Sequence, residues 1–151
     1  MKKRKESKGL SKIESEIIEG FVKSIRESKA LEEDDQKEHI RQQVMNIRGY
    51  HGVVEHLPSI NWDEVFEKES CPNCNARITP PSSSNNYYHC PRCGLSIMAE
   101  RWKSAEEHHM RAKKLNEYEL ELSKKIKNAK LGGERVRQLY EIALAQLEIE
   151  N

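Results

Sequence analysis

The residues with the clearest capacity for chemistry are four cysteines near the middle of the chain. They form two pairs, Cys71 with Cys74 and Cys90 with Cys93, and 15 residues separate the pairs. Cysteine pairs at this spacing are typical of zinc sites, in which four thiolates surround the ion as a tetrahedron. The sequence therefore predicts one Zn²⁺ per chain, held by all four cysteines, with no open position for a substrate or water.

Two tight turns and a few short strands must bring these cysteines together. The residue after each pair often needs a left-handed backbone, which Gly94 adopts freely and Asn75 tolerates. Short β-prone stretches at 77–79, 87–89 and 96–102 surround a polar loop, and together they predict a small β structure. The segment has too few apolar residues to fold alone, so we expect its folding to depend on the metal.

The knuckles Cys-Pro-Asn-Cys and Cys-Pro-Arg-Cys-Gly, with an aromatic strand between them, resemble the zinc-ribbon family over residues 70–103. Zinc ribbons occur in RNA polymerase subunits, transcription factors, primases, ribosomal proteins and phage accessory proteins, so the resemblance implies a metal and a fold more than a role. A following Ser-x-x-Glu helix start, Ser104 to Glu107, makes the segment similar to small phage restriction-alleviation zinc ribbons. The chain departs from that family at Asn75, where the family has glycine, and in its helical arms.

Two other family resemblances bear on activity and metal. Cleavage-stimulating elongation-factor ribbons carry an acidic pair on the hairpin, but residues 75–89 contain no Asp or Glu, so that activity is not implied. Rubredoxin-like iron sites use similar knuckles, which leaves iron as the alternative metal. A rubrerythrin-like di-iron bundle needs two Glu-x-x-His pairs, and only Glu106 with His109 matches. His89 beside Cys90 is a further candidate ligand, although four cysteines in register favour a neutral strand histidine.

Amphipathic helices are predicted before the cysteines. Ser11 and Glu14 form a capping box ahead of an apolar stripe, and a second stripe follows an acidic run and stops near Gly49 and Gly52. Pro58 then breaks the chain, and Asn61 can cap a short third helix.

A second helical region is predicted after the cysteines. Ser104 and Glu107 form another capping box, and Gly132-Gly133 separates two apolar stripes, as in a helical hairpin or a long broken helix. The fold class is thus mainly α with a small β zinc ribbon. Four segments follow: a basic flexible tail (1–10), a helical region (11–69), the zinc ribbon (70–103) and a helical arm (104–151).

Charge is distributed unevenly although 26 basic and 25 acidic residues leave a net charge of +1. Residues 31–70 hold 4 basic and 10 acidic residues, whereas residues 71–103 hold 4 basic and 1 acidic. Either the two segments pack against each other, or the basic one faces a polyanion.

Nucleic-acid binding is indicated by basic and aromatic side chains that alternate around the cysteines. These candidates are Arg77, Tyr87, Tyr88, Arg92, Arg101, Trp102 and Lys103. A second basic cluster surrounds Gly132-Gly133 and consists of Lys124, Lys125, Lys127, Lys130, Arg135 and Arg137, of which the four lysines are candidates for binding. In the alternative interpretation the three aromatic residues form a small core and the lysines are a solvated helix face.

No phosphate-binding loop, catalytic serine motif or spare cysteine is present, so we expect a protein that is not an enzyme and takes no small-molecule substrate. No signal peptide or membrane-length apolar run is found, which predicts a cytoplasmic location. The favoured function is a zinc-ribbon regulator that binds nucleic acid or the transcription or replication machinery. The alternative is a protein adaptor or inhibitor, of the phage anti-defence kind, whose helices bind the partner or self-associate.

Overall fold

Helices make up most of the computed structural model, which describes residues 9–49 and 59–150. In chain order the elements are α1 (Lys12–Glu33), α2 (Glu38–Arg48), α3 (Trp62–Glu67), β1 (Tyr87–His89), β2 (Ser96–Met98), α4 (Ala99–Asn128) and α5 (Gly133–Glu150). The mainly helical fold with a small β part is thereby confirmed. Most of the predicted basic tail, Gly52 and Pro58 lie outside the described residues. Among the described helices, none combines the length and apolar character that crossing a membrane requires.

The chain folds into two compact units. The first consists of the described residues of Met1–Glu33 and Ala112–Asn151, and it holds α1, most of α4 and α5. The second is Asp34–Arg111, with α2, α3, the sheet, the four cysteines and the start of α4. The four segments predicted along the chain stay a prediction.

In the first unit, α1 packs against α5 through a small aliphatic core. The buried members are Ile17, Ile18, Val22, Leu139 and Ala143. A close approach involves Gly20, because a Cβ at this position would lie 2.6 Å from Cδ1 of Leu122. Phe21 and Tyr140 add an edge-to-face contact, with ring centroids 5.2 Å apart. Both apolar stripes of the predicted helical arm therefore contribute to this core, through Ile126 and through Leu139 with Ala143.

The predicted capping box at the start of α1 is confirmed. The Glu14 backbone N–H donates to Oγ of Ser11 at 3.1 Å, and the Ser11 N–H donates to Oε1 of Glu14 at 3.0 Å. Arg135 of α5 also donates from Nε to Oε2 of Glu14 at 2.6 Å. These hydrogen bonds, that from Arg135 first, lower the pKa of Glu14 from 4.5 to about 2. One carboxylate thus caps α1 and ties it to α5.

We expect Glu14→Gln to destabilise the first unit at neutral pH and to flatten its acid sensitivity. A carboxylate whose pKa is lowered by folding stabilises the folded state at pH values above its ordinary pKa. That contribution is lost as the pH falls from 4.5 towards about 2. Urea unfolding midpoints measured by circular dichroism across this pH range check the prediction. Glu121→Gln is the matched control, because its exposed pair with Lys124, at 3.5 Å, contributes little. Identical pH profiles for both variants would contradict the assignment.

The predicted start of the long helix is wrong, whereas the predicted break near Gly132-Gly133 is present. The expected strand 96–102 stops at Met98, and α4 begins at Ala99, so Ser104 and Glu107 lie inside the helix and do not cap it. Helical backbone from Ala99 directs Trp102 and Ala105, three residues apart, onto one buried face. At the other end, α4 stops at Asn128 and the left-handed residue is Lys130, with φ 54°, whereas Gly133 opens α5. Two helices joined by a short loop, one of the two predicted arrangements, are therefore present.

Candidate metal centre

The four cysteines belong to the second unit and pack in its hydrophobic core. The sheet is antiparallel, and it pairs Tyr87 with Met98, Tyr88 with Ile97 and His89 with Ser96. Three helices pack onto the sheet and the cysteines through a shared buried core. Its members are Ile40, Val44, Val65, Phe66, Cys71, Ile78, Cys90, Leu95, Ile97, Trp102 and Ala105. The cysteines are thus part of the core of the whole unit.

The four Sγ atoms all lie within 4.8 Å of one another. Sγ of Cys71 is 3.6 Å from Sγ of Cys93, and Sγ of Cys74 is 3.5 Å from Sγ of Cys90. A tetrahedron with metal–sulfur bonds of about 2.3 Å has edges of about 3.8 Å, so the cluster has the size that one ion requires. Four soft thiolates fit Zn²⁺ or iron. The predicted meeting of these cysteines is confirmed, and the cluster can hold a metal ion.

The two knuckles have the same backbone geometry. The N–H of Asn75 donates to the Cys71 carbonyl and the N–H of Gly94 donates to the Cys90 carbonyl, both at 2.9 Å. Each turn is closed by a residue with positive φ, 65° at Asn75 and 85° at Gly94. The prediction that these two positions need a left-handed backbone is confirmed, and asparagine takes the place of glycine in the first knuckle.

Electrostatics differ among the thiols. Burial raises the pKa of Cys71 and of Cys74. Burial also opposes ionisation of Cys93, but hydrogen bonds from the Asn73 side chain and the Leu95 N–H outweigh it and lower the pKa of Cys93 to about 7. Because a metal binds thiolates, binding here displaces protons, and affinity falls as the pH is lowered.

Arg48 at the end of α2 clamps the first knuckle. Its Nε donates to Oδ1 of Asn73 at 2.7 Å, and its Nη2 donates to the Asn73 carbonyl at 2.6 Å. Asn73 in turn donates its backbone N–H to Sγ of Cys71 at 3.3 Å. Sequence reasoning missed both residues. A polar residue inside the knuckle was a usable signal for Asn73, whereas the partner Arg48 lies 25 positions away and carries no local signal.

The histidines near the cysteines have other partners. Nδ1 of His89 lies 2.9 Å from Oγ of Ser96, the residue opposite it in the sheet. His109, half of the Glu106-x-x-His109 motif, places Nε2 2.7 Å from Oδ1 of Asp63 and packs beside Phe66. Within residues 9–49 and 59–150, the four cysteines are the one group of three or more His, Cys, Asp or Glu side chains placed to hold an ion.

The aromatic candidates for nucleic-acid binding lie on two different sides of the sheet. Trp102 is 2% exposed, and its ring stacks on Tyr88 with centroids 4.1 Å apart. Tyr88 is half-buried, whereas Tyr87 is 43% exposed. The buried ring of Trp102 has no free face for a base, and Tyr87 is the most exposed of the three.

The basic candidates are exposed and belong to different units. Arg77, Arg92, Arg101 and Lys103 are in the second unit, and Lys124, Lys125, Lys127 and Lys130 are in the first. Two of the lysines face carboxylates, since Nζ of Lys125 lies 3.3 Å from Glu16 and Nζ of Lys124 lies 3.5 Å from Glu121. Of the two groups, Arg77, Arg92, Arg101 and Lys103 are therefore the one that lies in the same unit as the cysteines.

Comparison with known proteins gives no significant match to a family model, a curated protein or a solved structure.

Proposed function

We propose that this protein is a non-enzymatic regulator in which a zinc ribbon binds nucleic acid or the machinery that transcribes or replicates it. The observation that carries the proposal is a cluster of four thiols within a segment whose basic side chains are all exposed. If all four cysteines are ligands, the ion has no position for a substrate, and its role is to hold the fold.

Zinc is the proposed metal, with one ion bound by Cys71, Cys74, Cys90 and Cys93. Zinc has no redox chemistry and accepts a tetrahedron of thiolates without further requirements. Iron in the same ligand set would call for an electron-transfer partner, of which the sequence carries no motif. Metal analysis of the purified chain distinguishes the two.

Charge supports a polyanionic partner. Residues 71–103 carry Arg77, Arg92, Arg101 and Lys103 against a single acidic residue, Glu100, and all five side chains are exposed. Basic side chains that contact phosphates release counterions, which gives affinity and a steep dependence on salt. The proposed site of action is the cytoplasm, where such polymers are accessible.

We expect the zinc-loaded chain to bind DNA or RNA with an affinity that falls as salt rises. A fluorescence-anisotropy titration of labelled oligonucleotides over a salt series gives the slope of log affinity against log salt. Arg77→Gln combined with Arg92→Gln should weaken binding and reduce that slope by about two. Lys12→Gln combined with Lys114→Gln, which removes the same charge from the first unit, should leave the slope unchanged. Absence of binding to both polymers at low salt, or binding insensitive to salt, would exclude this function.

A protein adaptor or inhibitor is the second candidate, favoured by large apolar side chains exposed on the first unit. Leu120 is 62% exposed and Ile149 is 69% exposed. In this candidate, which includes inhibitors of the phage anti-defence type, the metal holds the fold and the helices bind a partner or a second copy. Affinity purification from the native host with and without nuclease decides between the two, because partners retained after nuclease treatment are bound directly. Multi-angle light scattering of the pure chain tests self-association.

A further inference from the structure

The two sides of the sheet differ in their side chains. Tyr88 and Ile97 lie opposite each other and face the core, since Ile97 is fully buried and Tyr88 stacks on Trp102. Successive residues of a strand point to opposite sides, so their neighbours face away from the core. The contact between His89 and Ser96 confirms that these two side chains share the outward side.

A third stretch of chain extends this outward side. Thr79 pairs with His89 through two backbone hydrogen bonds, of 2.7 and 2.9 Å. Ile78 is 1% exposed and faces the core, so Arg77 and Thr79 face outward with His89. We call the resulting surface the outer face; it consists of Arg77, Thr79, Tyr87, His89, Ser96 and Met98.

The chemistry of the outer face suits a base and a phosphate. Tyr87 lies opposite Met98 in the register, and both are well exposed, so an aromatic ring and a thioether form an apolar patch. Arg77 supplies a positive charge, and none of the six residues is acidic. Because Thr79 pairs antiparallel with His89, Arg77 lies at the end of the outer face away from Tyr87, about 13 Å along the strand direction. The ring and the cation are thus placed to contact nucleotides one or two positions apart on the same single strand.

We propose that the outer face binds single-stranded nucleic acid, with an unpaired base stacked on Tyr87 and a phosphate held by Arg77. This inference rests on the function proposed above and specifies its substrate class. On the core side of the same strand, Tyr88 stacks on Trp102 and supports the outer face from below.

A duplex fits the outer face less well. Bases in a duplex are stacked on each other, and a protein reaches only their edges in the grooves, which it reads with hydrogen-bonding side chains. The centre of the outer face is instead Tyr87 with Met98, which recognise a flat apolar surface. Strands of three residues span about 10 Å, which is room for one or two nucleotides.

The test compares variants of the full, zinc-loaded chain on labelled oligodeoxythymidine, oligouridine and a mixed-sequence DNA duplex. We expect single strands to bind more tightly than the duplex, and Tyr87→Ala to weaken single-strand binding about 5- to 100-fold. The salt slope should not change, because no charge is removed. Tyr87→Phe keeps the ring and should bind like the unaltered chain. Tyr140→Ala, which removes a tyrosine of similar exposure from the first unit, is the matched control.

The possible outcomes separate this inference from the broader function. No binding to any oligonucleotide removes both. Salt-dependent binding that Tyr87→Ala leaves intact, or that favours the duplex, overturns the inference alone. Zinc content and circular dichroism verify that each variant is folded. If Tyr87→Ala is not folded, Tyr87→Leu replaces it, because leucine keeps an apolar strand residue without the ring. Unchanged single-strand binding by Tyr87→Leu would then overturn the inference.

Discussion

Replacing Cys90 with serine should abolish stoichiometric metal binding and unfold the second unit as a whole. Cys90 is fully buried in a core that includes Ile40 of α2, Phe66 of α3 and Trp102 of α4. Metal binding by a structural four-thiolate site contributes about 10–16 kcal/mol in small zinc domains, which is more than such a core can supply alone. The helices of this unit should therefore be lost together with the sheet.

The measurements are metal content by mass spectrometry, far-ultraviolet circular dichroism and limited proteolysis. The helical signal should fall by the share that α2, α3 and residues 99–111 contribute, while α1 and α5, which have their own core, remain protected. Removing the metal from the unaltered chain with a chelator should reproduce this state. Ser70→Ala, which changes another buried residue of the same unit, is the control and should keep its metal. A Cys90→Ser chain that still holds one ion with an unchanged spectrum would refute a four-thiolate site.

Trp102→Ala should destabilise the second unit by about 3–5 kcal/mol, the usual cost of deleting a large buried aromatic ring. The Trp102 ring stacks on Tyr88 and meets Phe66 edge to face, with centroids 5.3 Å apart. Without the Trp102 ring, α4 loses its aromatic contacts with Tyr88 of the sheet and with Phe66 of α3. If the proposed metal binding is coupled to folding of this unit, the affinity for the metal should fall as well.

Urea unfolding followed by tyrosine fluorescence and circular dichroism gives the change in stability, and competition with a chromophoric chelator gives the change in zinc affinity. Met110→Ala, which alters an exposed residue on the same helix, should have little effect on either. Trp102→Phe, which restores part of the ring, should recover part of the stability. If Trp102→Ala unfolds at the same urea concentration as Met110→Ala, the assigned core of the second unit is incorrect.

Features set by neighbouring residues could be predicted from the sequence. The structure confirms three such predictions: the meeting of the four cysteines, the left-handed backbone at Asn75 and Gly94, and the helix caps at Ser11 and Asn61. Each of them follows from a short sequence pattern. The fold class followed from the same local patterns.

Features set by tertiary contacts could not. The capping box at Ser104 predicts that α4 begins there, but the helix begins at Ala99 and includes Trp102, whose buried ring stacks on Tyr88. The side of the sheet on which Tyr87 and Tyr88 lie depends on the register with β2. The sequence predicts the same role for both tyrosines, but Tyr88 packs against the core and Tyr87 reaches solvent.

The four thiols are unequal in accessibility, since Cys71 and Cys90 are buried whereas Cys74 and Cys93 are partly exposed. An ion held here would be approached by a competing chelator from the side of Cys74 and Cys93, and those two bonds would break first. An ion in this cluster would therefore exchange through one side of the centre, with Cys71 and Cys90 released last.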